Sequence, residues 1–322
     1  MFLQDTSLQP QKVVQPKSRT RTILKPYLRN WELYLLISPV LAYFIIFEYI
    51  PMYGVQIAFK NFVATKGIWG SSWIGMRHFE RFFDSYFFWR LITNTLGVSL
   101  YQLVVGFPVP IILALMINEV KQSRIFFKKI VQTVTYAPHF LSTVVLVGIV
   151  VMFLAPETGM INKLIVLFGG QPISFITEPA WFKTIYVGSG VWQQMGWSSI
   201  IYLAALAGID PQLHEAAKVD GATRLQRIWH VNLPGIMPTI VILLILNMGS
   251  IMGVGFEKVF LMQNDLNLES SEVISTYVYK SGIIQAQYSF SAAIGLFNSI
   301  INFILLILVN FAAKRMNQTS LW

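Results

Sequence analysis

The sequence predicts an all-α integral membrane protein with six transmembrane helices. Three observations predict it. Of 322 residues, 55% are hydrophobic; only 12% are charged; and the charges gather in short segments that leave six long apolar runs between them. A soluble globular domain carries about 25% charged residues, so this composition cannot cover a water-facing surface.

Taken in order, residues 1–30 come first. They hold Lys12, Lys17, Arg19, Arg21, Lys25 and Arg29 among Pro10, Pro16 and Pro26. Such a stretch buries too little apolar surface to fold, and is expected as a mostly disordered cytoplasmic tail ending in an interfacial stretch. It is not a cleavable leader, because the apolar run after Trp31 is too long and lacks a small-residue cleavage site. A spanning helix needs about 20 mainly apolar residues. The qualifying runs are 33–57, 91–117, 130–156, 184–209, 231–256 and 290–313, the first interrupted by Glu48 and Pro51. An open chain satisfies its backbone in lipid only as a helix, so these runs are helices despite their Val and Ile content. The membrane domain is therefore 31–313, followed by a short tail, 314–322.

Fifteen of the 24 basic residues fall in the segments 1–30, 118–129, 210–230 and 314–322, with Lys121, Arg124, Lys128 and Lys129 the densest group. Basic loops stay inside, so both termini are expected in the cytoplasm. The aromatic stretch 79–89, with Phe82, Phe83, Tyr86, Phe87, Phe88 and Trp89, is expected to lie along the outer membrane surface or to begin the second span.

Several function classes fall away. The chain has no cysteine, which excludes disulfides and thiolate metal sites. The net charge of +9 is explained by the inner loops and calls for no nucleic-acid partner. No G-x-x-x-x-G-K-[ST] phosphate loop is present, so ATP hydrolysis by that route must come from another subunit. His78, His139, His214 and His230 lack ligand-like spacing, and His139, inside a span, is expected as a packed residue. No nucleophile motif marks an enzyme. Spans two to six carry no acid or lysine relay, which weighs against the alternative of an ion-coupled secondary transporter.

The segment 210–234 differs from the rest and reads DPQLHEAAKVDGATRLQRIWHVNLP. Asp210 suits an N-cap and Pro211 the first helical position. Gly221 suits the left-handed residue that ends a helix. A second short helix through Arg224, Gln226 and Arg227 leads to Pro234 and the fifth span. The first helix is expected to present a small, flat patch, Ala216 and Ala217, with Glu215 alongside and Asp220 at its end. Small residues let a partner's backbone approach, and a carboxylate can pair with its basic groups. An ordinary connecting loop would also fit these residues.

Glu215-Ala216-Ala217, three residues, Gly221, nine residues, then Val231-Asn232-Leu233-Pro234 resembles the EAA motif of ABC importer permeases, with Val231 in place of the usual isoleucine. The resemblance continues at Asn94-Thr95, at Glu157-Thr158-Gly159-Met160-Ile161-Asn162, from Trp192 to Gly196 and at Tyr202-Leu203-Ala204. It is similar to the MalF-like and LplB-like carbohydrate permeases, the latter also in 274–279 and Ser320-Leu321-Trp322. That likeness implies the type I ABC importer permease fold. It also implies a coupling helix that docks on an ATP-binding subunit through Glu215, with Gly221 making the turn. The implied partners are a second homologous permease, two ATP-binding subunits that hold ATP and Mg, an extracytoplasmic solute-binding protein and a sugar. The group is associated with oligosaccharides and polysaccharide fragments, alginate and pectin pieces included.

A sugar path needs amides and aromatic faces within an apolar wall. The family likeness points to the spans flanking the motif, hence to Gln193, Gln194, Trp197, Asn247 and Ser250. Amides also join helices, as Asn298 and Asn302, one turn apart, are expected to do. Gly249 and Gly253 form a G-x-x-x-G pattern expected at a subunit interface.

Overall fold

The computed structural model describes residues 30–120 and 122–315. The basic N-terminal tail up to residue 29, Lys121 and the Ser320-Leu321-Trp322 end lie outside them. The chain divides into two units, residues 1–55 and 56–322.

The first unit carries an α-helix, Trp31–Phe44, continued by a π turn at Ile45–Tyr49 and a short helix, Ile50–Met52. Pro51 has no N–H to give the ladder and its ring crowds the carbonyl four residues back. The helix widens instead, and Ile50 N–H bonds Ile45 O.

The same device recurs in the second unit. The helix Phe88–Asn118 widens at Gln102–Gly106, ahead of Pro108. The helix Arg224–Met248 widens at Ile228–Asn232, ahead of Pro234. Three of the four π turns among the described residues thus end two positions before a proline. The fourth, Lys280–Ile284, has no proline near it.

Among the described residues, four helices are long and apolar enough to cross a membrane: Trp31–Phe59, Phe88–Asn118, Arg224–Met248 and Tyr288–Arg315. The expected third span, 130–156, is broken. It is two helices, Ile125–Phe140 and Thr143–Leu154, bent by 104° and able together to supply a fifth crossing. Pro138 sets up the break, and Ser142 starts the next helix by accepting a hydrogen bond from Val145 N–H at 3.3 Å. Where the fourth span is expected stands the helix Pro179–Ala207. Its 29 residues would rise about 43 Å, but Lys183, Gln193, Gln194 and four serines and threonines dilute its apolar character, and it falls outside the four.

Many large apolar side chains along these helices are exposed, as Phe303, Ile304, Ile307, Leu308 and Phe311 are on the last helix. Water would penalise that surface; lipid or another subunit covers it without cost.

The aromatic stretch 79–89 divides. The helix Arg77–Phe83 stands apart from the span that begins at Phe88. Phe82 is buried with Leu91, Phe290 and Ile294, while Tyr86 and Trp89 are exposed. A two-stranded antiparallel ribbon pairs Lys60 with Trp73 and Asn61 with Ser72, a small exception to the all-helical expectation.

Side-chain amides stitch the segments between the long helices. Asn162 Nδ2 donates to Leu154 O, Ala155 O and Ile173 O, and its Oδ1 accepts from Ile173 N–H at 2.8 Å. Asn94 Nδ2 donates to Glu269 O and Glu272 O, while Thr95 Oγ1 accepts from Ile274 N–H. Asn267 Nδ2 reaches Ile176 O and Met262 O. Each buried amide supplies hydrogen bonds to backbone groups held away from water, some of which, such as Ala155 O and Ile176 O, have a second partner.

Candidate functional site

Two regions hold the residues singled out in the sequence. In the first, Asp210 caps the helix Pro211–Val219 by accepting from Gln212 N–H at 2.9 Å. The helix ends as the sequence predicts. Gly221 has φ +75°, Gly221 N–H bonds Lys218 O, and Ala222 N–H bonds Ala217 O at 2.9 Å. These are the paired bonds of a Schellman end. Thr223 then opens the next helix with a capping box, its N–H donating to Gln226 Oε1 at 2.8 Å.

Because the backbone closes on itself in this way, the side chains stay free. No residue of Pro211–Val219 is buried. Glu215, Ala216 and Asp220 are exposed and Ala217 half-buried. Leu213, Val219, Leu225 and Trp229 are large apolar residues left exposed beside them.

A clamp ties this loop to the second span, and sequence reasoning missed it. Glu119, just past the end of Phe88–Asn118, lies 3.8 Å from the Arg227 guanidinium and accepts from Asn232 Nδ2 at 3.2 Å. Arg227 also donates to Ala222 O. Glu119 was legible only as an acid among the basic residues of the preceding loop; its partners are more than 100 positions away.

The second region is a cavity of about 380 Å³ between the helices Phe88–Asn118, Pro179–Ala207 and Leu233–Met248. Of the five residues expected along a sugar path, Gln194, Asn247 and Ser250 line it, with Ser99, Gln102 and Ser198. Gln193 and Trp197 do not. Gln193 Nε2 donates to Leu141 O at 3.0 Å, satisfying the carbonyl at the bend. Trp197 stacks on His139, centroids 4.3 Å apart and planes 2° from parallel, and His139 Nδ1 lies 3.0 Å from Gln194 Oε1. His139 is thus packed, as expected. Gln102 was missed; its signal was an amide inside an apolar run, and it begins a π turn.

Asn302 Oδ1 accepts from Met252 N–H at 2.9 Å, joining the last span to the end of the fifth. At Gly249 an added Cβ would lie 2.7 Å from Leu306 Cδ1, so this glycine of the G-x-x-x-G pattern gives room to the chain's own last helix.

Residues 106–318 match the family described as binding-protein-dependent transport system inner membrane component. The chain belongs to that family. It is 44% identical, over 96% of each chain, to the polygalacturonan/rhamnogalacturonan transport system permease protein YteP of Bacillus subtilis (strain 168). It is 45% identical to Protein LplB of the same organism, over 91% of this chain and 92% of that one. A chain of a solved bacterial ABC transporter involved in the import of the acidic polysaccharide alginate matches with a TM-score of 0.85 and 42% identity, over 92% of this chain and 100% of that chain. The fold is that of an ABC importer permease, a membrane subunit rather than an enzyme.

Proposed function

We propose that this chain is one of two homologous permeases enclosing the path of an ATP-driven importer for an oligosaccharide. The named relatives carry polygalacturonan, rhamnogalacturonan and alginate, so polysaccharide fragments are the substrate class we assign. The bent pair and Pro179–Ala207 complete six crossings, with both termini in the cytoplasm. An extracytoplasmic binding protein delivers the sugar; the alginate transporter has been solved with a pentasaccharide-bound periplasmic protein. Two ATP-binding subunits below hold ATP and Mg.

One observation carries the coupling role: a helix whose caps are internal and whose side chains are all at least partly exposed, in a loop that is clamped to a span further on, where Arg227 and Asn232 meet Glu119. Such a helix moves as a unit with the membrane domain. Glu215, Ala216, Ala217 and Asp220 meet the ATP-binding subunit, and Gly221 makes the turn behind them. ATP binding draws the two subunits together, the permeases rock, and the cavity changes the side on which it opens. Gln194, Asn247 and Ser250 contact the sugar, with Gln102; Gln193 and Trp197 hold the bend between Ile125–Phe140 and Thr143–Leu154.

Glu215→Lys tests this reading. It reverses a charge at the docking edge without touching a buried contact. We expect normal amounts in the membrane but substrate-stimulated ATPase of the reconstituted complex lowered about tenfold or more. Undiminished stimulation would remove the coupling role. The ion-coupled alternative instead requires uptake that persists without ATP and collapses with an ion gradient.

A further inference from the structure

Two lysines beside the cavity have no carboxylate partner. Among the described residues the ion pairs within 4 Å are Arg227–Glu119 and Lys280–Glu272. Lys258, on the helix Phe256–Met262, is 9% exposed. Its ammonium donates to Tyr186 O at 2.7 Å and sits 4.6 Å from the centre of the Tyr186 ring. Three N–H groups are available to it, so two remain for another acceptor. A buried cation without an anion is costly.

The backbone makes room for these charges. A Cβ at Gly190 would lie 3.2 Å from Lys258 Nζ and 3.4 Å from Gln102 Oε1, and Gln102 lines the cavity. A Cβ at Gly97 would lie 2.8 Å from Lys183 Nζ. On the helix Pro179–Ala207, positions 183, 190, 194 and 198 share one face. Down that face run Lys183, the space filled by the Lys258 ammonium, then Gln194 and Ser198 of the cavity wall. No acid lines the cavity. Burial lowers the Lys258 pKa to about 8, which leaves the ammonium charged at neutral pH.

We propose that Lys183 and Lys258 make this path selective for a carboxylate-bearing saccharide, Lys258 offering its remaining N–H groups to a uronate passing Gly190. The inference rests on the sugar-importer reading and names the charge of its substrate. A cation ladder lowers the cost of bringing an anionic chain into an apolar wall, and a neutral sugar gains nothing from it.

The test compares uptake of oligogalacturonate and oligoalginate with uptake of their carboxyl-reduced, neutral counterparts, using the full importer in proteoliposomes. The wild type is expected to favour the acidic members at least tenfold. Lys183→Gln with Lys258→Gln should bring that ratio near one, and Lys258→Arg should preserve it. Equal uptake of acidic and neutral members by the wild type would overturn the charge assignment and leave the sugar reading standing. So would a double variant that loses both equally, since that marks the lysines as structural. Uptake of neither class by the wild type would overturn the sugar reading, and this inference with it.

Discussion

The loop 210–234 and the other segments that join the long helices solve the same problem in opposite ways. In the loop, Asp210, Gly221 and Thr223 satisfy the backbone within a few residues, and nearly everything else points outward. In the other segments, Asn162 and Asn267 reach carbonyls on other elements and are buried, as is Asn94, which reaches them from the helix Phe88–Asn118. The first plan gives a rigid projection with a bare surface, which suits docking. The second gives a cross-linked platform, in which the loss of one amide frees several backbone groups at once.

The largest expected break in this comparison is Asn162→Leu. It takes the Asn162 partner from Leu154 O, Ile173 O and the Ile173 N–H, at a site 1% exposed, while Ala155 O keeps Gly159 N–H, and should cost about 3 kcal/mol. The unfolding temperature of the purified protein checks it; an unchanged value would mean the platform is not cross-linked through this amide. Gly221→Ala comes next. It forces a Cβ into φ +75° at about 1–2 kcal/mol, and hydrogen exchange should quicken over 217–226 while residues 160–175 stay protected. Exchange that spreads to both regions would erase the distinction. Thr223→Ala should show the same local pattern more weakly, at about 1 kcal/mol, and no local change would deny the cap its role.

The same contrast governs what could be read in advance. The motif loop was legible residue by residue, because each cap acts on its own neighbours. Four of the six apolar runs coincide with helices long and apolar enough to cross a membrane, and a fifth with the helix Pro179–Ala207. The bend at Leu141 was hidden inside a continuous apolar run, where only Pro138 and Ser142 hinted at it. Gln193 and Gln194 are adjacent and chemically identical, yet about 100° of helix rotation sends one to the Leu141 carbonyl and the other to the cavity. Periodicity alone could not say which. The Glu119 clamp and the Lys258 ammonium depend on tertiary neighbours and left no local trace.

The proline-linked π turns carry one more consequence. Each holds an extra residue, so the helix beyond it is out of phase by about 100° with the helix before it. Deleting a single residue within 102–106 or 228–232 would keep the downstream face aligned but set the Pro108 or Pro234 ring against the carbonyl four residues back. The same deletion a turn later would swing every following side chain off its partner. A length change at a widened turn therefore brings one local clash, and elsewhere it disturbs the packing of the whole downstream helix.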